Sequence, residues 1–297
     1  MASLSRYARS FVIAALAPSL VLAIGACGSS KKSSSSSSSG AAKGGSVSLS
    51  ISESGGKAQF TAPASVKGGL VTVILKNQTR NVRTAQFVLI KGKHTLGDAL
   101  KVLKGNGKTP AWMRAEGGLP ATAPGFTSTA TVNLPAGKYG LVEVPGPTST
   151  GPPTATQIRV TPGSAGRLPS TATTVSAATN GKDRYKWRIS GTLHPGIKPL
   201  TFKSHGKDAI HLIAAVRLIG HPSKTAIIKG LSTNGKPPAF FDLKTFAETA
   251  ALDGGKSQVT ELPIAGPGTY VLFCPITDRN GGKPHFAKGL LTNVTVK

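Results

Sequence analysis

The chain repeats itself, and that repeat limits its folds more than any single motif does. Phe60 to Asn77, FTAPASVKGGLVTVILKN, lies over Trp187 to Ser204, WRISGTLHPGIKPLTFKS, at an offset of 127. Asn106-Gly107-Lys108-Thr109-Pro110-Ala111 then matches Asn234-Gly235-Lys236-Pro237-Pro238-Ala239 at 128, and Leu134 to Tyr139 matches Ala265 to Tyr270 at 131. An offset that drifts by only a few residues predicts two homologous domains, 46–161 and 175–297, each of about 115 to 125 residues, a usual domain size. The Pro/Ser/Thr stretch 162–174 reads as the linker between them, and each half is expected to fold on its own.

Within each unit short Val- and Thr-rich runs alternate with Gly/Pro turns, which predicts strands rather than helices. One helical interruption is expected per unit. In the first, Thr95 caps a helix in which Leu96, Leu100 and Leu103 share a face, Asp98 sits in the first turn, and Gly105 stops it. In the second, Leu243, Phe246, Ala247 and Ala250 fall at helical spacing before Gly254-Gly255. Both apolar stripes read as core.

Chemically capable side chains gather in one place, Gly266 to Leu290, GPGTYVLFCPITDRNGGKPHFAKGL. A Pro-Gly turn launches a β-run over Tyr270 to Phe273, so Cys274 closes a strand. Ten residues rich in Gly, Pro, Asn and Asp follow, Pro275 to Pro284, then His285, then a second β-run through Leu290, Thr292, Val294 and Val296. Upstream, Pro199 to Leu218 reads as strand, short loop and strand, with His211 on the second strand. Taken alone, Cys274 is either a metal-ligating thiolate or a small buried hydrophobe at a strand end. Asp278, inside the loop, is either a hydrogen-bond partner of a ligand or a loop cap.

This order of parts resembles the C-terminal end of cupredoxins, the blue-copper Greek-key sandwiches, and more closely a group of bacterial cupredoxin-like lipoproteins with the same long C-terminal loop. The resemblance implies an all-β fold of two tandem cupredoxin-like Greek-key β-sandwiches, each with a short helical insertion. It implies one copper ion in the second domain, held by His211, Cys274 and His285, a soft thiolate and two imidazoles of the kind copper takes in a trigonal site. Gly289 and Leu290 stand where the family carries its axial methionine, so the fourth ligand is missing. The repeat supplies an internal comparison: Cys274 falls on Glu143, His211 on Arg83 or Thr84, and Val144 to Thr156 contains no histidine. The first domain therefore lacks the constellation.

At the N-terminus, Arg6 and Arg9 precede an apolar run from Phe11 to Ile24 and the small pair Gly25-Ala26 before Cys27. This is a secretory signal over 1–27, and Ile24-Gly25-Ala26-Cys27 resembles a bacterial lipobox, which makes Cys27 the lipidation site. Residues 28–45, with seven consecutive serines from Ser33 to Ser39, are too poor in apolar residues to fold and read as a tether with a span of roughly 20 to 25 Å. The expected location is the outer face of the cell membrane. If Cys27 carries lipid, Cys274 has no disulfide partner among the two cysteines of the chain.

Thirty-six Lys and Arg against 11 Asp and Glu give a formal charge of +25, or +23 without Arg6 and Arg9. Such an excess attracts polyanions. Aromatics at 5% supply few stacking residues for a nucleic-acid binder, so the expected partners are the membrane through the lipid anchor, anionic envelope polymers, or a redox partner. No hydrolase motif, P-loop or dinucleotide fingerprint occurs, and the chain is read as a non-enzyme. The two functional readings are an exported copper protein for electron transfer or copper handling, and a non-metal envelope binding module with a basic surface.

Overall fold

The computed structural model describes residues 45–105, 108–143, 154–233 and 235–297. The signal peptide, Cys27 and the tether up to Gly44 lie outside the described residues, as do Asn106, Gly107, Asn234 and Val144 to Pro153. The described chain is dominated by strands. In the first half these are β1 (Gly45–Ser54), β2 (Lys57–Thr61), β3 (Ser65–Lys67), β4 (Gly69–Asn77), β5 (Arg83–Ile90), β6 (Met113–Thr122), β7 (Thr127–Leu134), β8 (Gly137–Val142) and β9 (Ala155–Thr161), with helix α1 (Leu96–Lys104) between β5 and β6. The second half carries β10 (Thr174–Thr179), β11 (Tyr185–Ser190), β12 (Gly196–Ser204), β13 (Ile210–His211), β14 (Ala214–Leu218), β15 (Phe241–Glu248), β16 (Leu252–Asp253), β17 (Ser257–Ile264), β18 (Gly268–Phe273) and β19 (Leu291–Val296). Its helix, α2 (Lys224–Ser232), follows β14.

Both halves run the same strand order. One layer is β2-β1-β4-β7 in the first half and β11-β10-β12-β17 in the second; the other is β6-β5-β8-β9 and β15-β14-β18-β19. In each half the first strand pairs in parallel with the strand that follows its hairpin, β1 with β4 and β10 with β12. The result is a pair of Greek-key β-sandwiches of cupredoxin-like arrangement. Alternation drives them: along β4 the residues Val71, Val73 and Leu75 are fully buried while Thr72 and Ile74 between them are only half covered. Each such side chain contributes about 1.5 to 3 kcal/mol on burial. One tie recurs in both halves, the Tyr139 hydroxyl donating to the Pro135 carbonyl at 2.8 Å and the Tyr270 hydroxyl to the Gly266 carbonyl at 3.0 Å.

Helix α1 forms as its sequence directs. Thr95 and Asp98 make a reciprocal capping box and Gly105 ends the helix. Leu96, Leu100 and Leu103 pack on Val88, Ile90 and Met113, covering the outer face of β5 over its second half. In the second half the helix lies elsewhere than expected. Leu243, Phe246 and Ala247 are in strand β15, which pairs with β14 through Ala215↔Ala247 and Leu218↔Phe241. Helical spacing over so short a window does not exclude a strand, and an eight-residue run with Phe241, Thr245 and Phe246 satisfies its backbone on the neighbouring edge instead. Helix α2 starts at the Ser223 cap, but Ile227, Ile228 and Gly230 within it are weak helix formers.

The two sandwiches share a seam. Strand β17 pairs with β7 (Gln258↔Val132 to Thr260↔Ala130), making one eight-stranded sheet, and β16 pairs with β6 at Leu252↔Glu116. Gln86 crosses the seam twice, its amide donating to the Ala251 carbonyl at 3.1 Å while its oxygen accepts from the Ala251 N–H at 2.7 Å. Gly117 and Gly118 permit this closeness: at Gly117, with φ of 88°, a Cβ would stand 2.4 Å from the Gln258 oxygen that receives the Gly118 N–H. The stretch after β9 is laid down too, with Asn133 and Gly166 exchanging two hydrogen bonds.

Glu248, at the end of β15, borders a small seam cavity with Leu119 on one side and Leu212 on the other. Burial pushes its carboxyl from the ordinary 4.5 up to about 7. A raised folded-state value favours the protonated fold, so this stability is complete below pH 4.5 and is lost as pH rises through 7. Relative to wild type, Glu248→Gln should therefore gain about 3 kcal/mol between pH 4.5 and 7.5. Urea denaturation at a series of pH values measures it; parallel pH profiles for the two proteins would refute it.

Candidate metal centre

His211, Cys274 and His285 come together at one end of the second sandwich, all three with no solvent exposure. One potential ligand atom from each lies within 4.8 Å of the others, and among the described residues this is the metal-type cluster that stands out. His211 is placed by the β13–β16 pairing, His211↔Leu252. Cys274 follows β18, its N–H held by the Leu290 carbonyl at 3.1 Å. The ten-residue loop could carry His285 away from the cysteine, but its backbone closes it. Asp278 and Gly281 form an isolated antiparallel bridge, the His285 N–H returns to the Ile276 carbonyl at 2.9 Å, and the Phe286 N–H to the Cys274 carbonyl at 2.9 Å. His285 then opens a short 3-10 turn, His285–Lys288, ended by Gly289 at φ of 114°. A Cβ on Gly289 would stand 2.2 Å from the Tyr185 carbonyl, so glycine lets β11 lie across the turn.

The partners of the two imidazoles decide which nitrogens are free. Nε2 of His211 is 3.1 Å from the His205 carbonyl, and Nε2 of His285 is 2.9 Å from Asp278 Oδ1. Both partners are acceptors, so both rings carry their proton on Nε2 and present a bare lone pair on Nδ1. Those Nδ1 atoms face each other at 2.9 Å, with Cys274 Sγ 3.6 Å from the second. Two lone pairs and a sulfur converge with no proton between the nitrogens, an arrangement relieved by a cation. Separations of this order suit donors that share one ion at roughly 2.0 to 2.3 Å.

Electrostatics point the same way. Burial, reinforced by His285, brings the His211 imidazolium down to about 3 and also lowers His285, so neither ring takes up a proton near neutrality. Burial pushes the Cys274 thiol up to about 12, and a soft cation is what would draw off its proton. Burial alone would raise the Asp278 carboxyl too, but hydrogen bonds from His285, Lys288 and Tyr185 together hold it well below the ordinary range. Asp278 is thus the hydrogen-bond partner of a ligand candidate. Tyr185 completes the enclosure: its ring packs edge-on to His211 at 4.8 Å and tilted over His285 at 4.7 Å, and its hydroxyl donates to Asp278 at 2.6 Å. No local pattern marks Tyr185 in the sequence; the β10–β11 hairpin delivers it. Leu290, fully buried, offers no donor.

The first half has an ion pair at the matching positions. Arg83 Nη1 lies 2.5 Å from Glu143 Oε1, both buried, and Arg83 Nε donates to the Thr79 hydroxyl at 3.0 Å. Burial pushes the Glu143 carboxyl up even against Arg83.

No family model matches the chain, and no curated protein does. Among solved structures it is similar to dithionite-reduced auracyanin from Roseiflexus castenholzii, at 25% identity over 43% of this chain and 99% of that one, TM-score 0.29. It is also similar to auracyanin A, a "blue" copper protein from Chloroflexus aurantiacus, at 14% identity over 42% and 96%, TM-score 0.29. A blue copper oxidase from Nitrosomonas europaea matches at 17% identity over 86% of each chain, TM-score 0.23. The strand order described above, rather than these matches, carries the assignment of fold.

Breaking the buried pair of the first half leaves a charge without its partner, which costs about 3 to 5 kcal/mol, whereas an apolar pair of similar volume is close to neutral. Arg83→Met should therefore lower the urea midpoint sharply, and Arg83→Met with Glu143→Leu should restore most of it. A double variant as unstable as the single one would refute this account.

Proposed function

We propose that the second half binds one copper ion through Cys274 Sγ and the Nδ1 atoms of His211 and His285, and that the chain is an exported cupredoxin-like copper protein serving electron transfer or copper handling. The observation that carries this reading is the pair of bare Nδ1 lone pairs facing each other beside the cysteine sulfur. A thiolate with two imidazoles is a donor set that suits copper, and bound copper would supply one-electron exchange. The remaining work belongs to the chain. His205 and Asp278 hold the ring protons on Nε2, Tyr185 shuts the rings from water, and Lys288 anchors Asp278. With Leu290 where the family has its methionine, that position offers no thioether to lower the potential, which favours a more oxidising site.

Cu(II) titrated into the metal-free protein should bind at one equivalent with an intense thiolate-to-copper band in the visible. Cys274→Ala should abolish the band and His211→Ala should weaken binding. Asp278→Asn should keep the band but lower affinity about 10- to 100-fold, because it loosens a ligand rather than removing one. No band in wild type, or copper bound equally well by the Cys274 and His211 variants, would leave a cupredoxin-like fold without copper.

Export and anchoring belong to the same proposal. The charged n-region, apolar run and Ile24-Gly25-Ala26-Cys27 ending support lipid attachment at Cys27. Among the described residues no helix is long and apolar enough to cross a membrane. Metabolic labelling with a fatty-acid analogue is expected to mark the protein and to fail with Cys27→Ser; a label that persists in that variant would rule the site out.

A further inference from the structure

A cleft of about 620 Å³ opens beside the seam, and its lining is cationic. Lys91 enters it from the end of β5, Arg114 from β6, Lys138 from β8 and Lys256 from the β16–β17 turn; Glu116 is the acidic residue in the lining. The two inner cations are braced from behind. Arg114 Nε is 2.5 Å from Oδ2 of the fully buried Asp253, and Lys256 Nζ is 2.7 Å from Oε2 of the buried Glu116. These braces use one edge of the Arg114 guanidinium and leave its Nη groups without a hydrogen-bond partner among the described residues. Lys91 and Lys138 are exposed and pair with no carboxylate among the described residues, Lys138 donating instead to the His94 carbonyl at 2.8 Å.

Asp253 is shared with Arg279, so the surroundings hold five cations (Lys91, Arg114, Lys138, Lys256 and Arg279) against two carboxylates, Glu116 and Asp253. A concave wall with an excess of one sign concentrates field and counter-ion within it. The four lining cations come from four separate elements around a hollow rather than from one convex face, so their charges reach a ligand from several sides. A volume in the range of small-molecule sites exceeds what a lone phosphate fills. We propose that this cleft binds a polyvalent phosphate-bearing anion, with Arg114 and Lys256 as the preoriented inner contacts and Lys91 and Lys138 as the outer ones. The site involves none of His211, Cys274 and His285, and its occupancy is independent of the copper reading.

The test uses the metal-free protein and tripolyphosphate, followed by titration calorimetry at low ionic strength. Lys91→Ala with Lys138→Ala removes two exposed side chains that hold no ion pair, so the fold is preserved. It should weaken binding at least about tenfold, or 1.4 kcal/mol. Lys57→Ala with Lys229→Ala, two exposed lysines on β2 and α2, removes the same net charge and should change affinity little. Sedimentation with vesicles containing cardiolipin, whose headgroup carries two phosphates, using protein without its lipid anchor, separates the two sources of such a ligand. Vesicle binding that is lost in the Lys91/Lys138 variant assigns a lipid headgroup; tripolyphosphate binding alone assigns a soluble phosphate. No binding of either probe by wild type, or equal weakening by the two double variants, would overturn the proposal.

Discussion

Asp253 is buried completely, and much of the second half's architecture is tied to it. Its carboxylate forms an ion pair with Arg114 and accepts from the Ala115 N–H at 3.1 Å and from Arg279 in the long loop. Arg279 is the hinge of the arrangement, because the same guanidinium also donates to the Pro110 carbonyl at 2.9 Å and the Met113 carbonyl at 2.8 Å. One carboxylate therefore fastens a loop of the second sandwich to a strand of the first. A buried acid is tolerable only with its charge met by partners, and here two arginines and a backbone N–H meet it. The loop that carries Asp278 then has a fixed base from which to hold the His285 ring.

The two halves share a strand order but differ where the candidate metal site lies, and the difference is chemically consistent. At positions offset by 128 and 131, histidine and cysteine in one half face arginine and glutamate in the other. Each pair fills the same interior end of a sandwich, where unmatched polar groups cost several kcal/mol. In the first half the match is a proton-bearing cation and a carboxylate oxygen, a charge pair made within the chain. In the second the facing groups are two imidazole nitrogens and a sulfur, with no charged partner among them. That contrast separates a structural ion pair from a candidate ligand set.

Much of this was legible in the sequence because it is written locally or periodically. The strands β4 and β12, the Thr95 cap with Asp98, and the Cys274 strand end all follow from spacing and turn residues. His211 and His285 were reachable through resemblance, which placed them on the right elements but supplied no distances. What stayed hidden depends on contacts between distant segments. Tyr185 reaches the site through a hairpin ninety-odd residues before Asp278, and Arg279 acts on carbonyls far back in the first half. The β15 stripe misled because an eight-residue run leaves the period open, and the edge of β14 resolved it.

These ties bear on why a half without the cysteine and histidines belongs in the chain at all. A longer loop between two ligands costs little in closure entropy, since each doubling adds only about 0.6 kcal/mol, but it frees the second ligand to wander. Seating the loop removes that freedom. The seat is the segment leading into β6, where Thr109, Pro110 and Met113 offer carbonyls to Arg279 and the Thr109 N–H donates to the Arg279 carbonyl at 2.8 Å. The first sandwich thus acts on the candidate site without contributing a donor, by holding the loop in which Asp278 keeps the His285 proton on Nε2. The sandwiches are joined through β7 and β17, so the half without these residues is the wall against which the long loop is laid beside the candidate site.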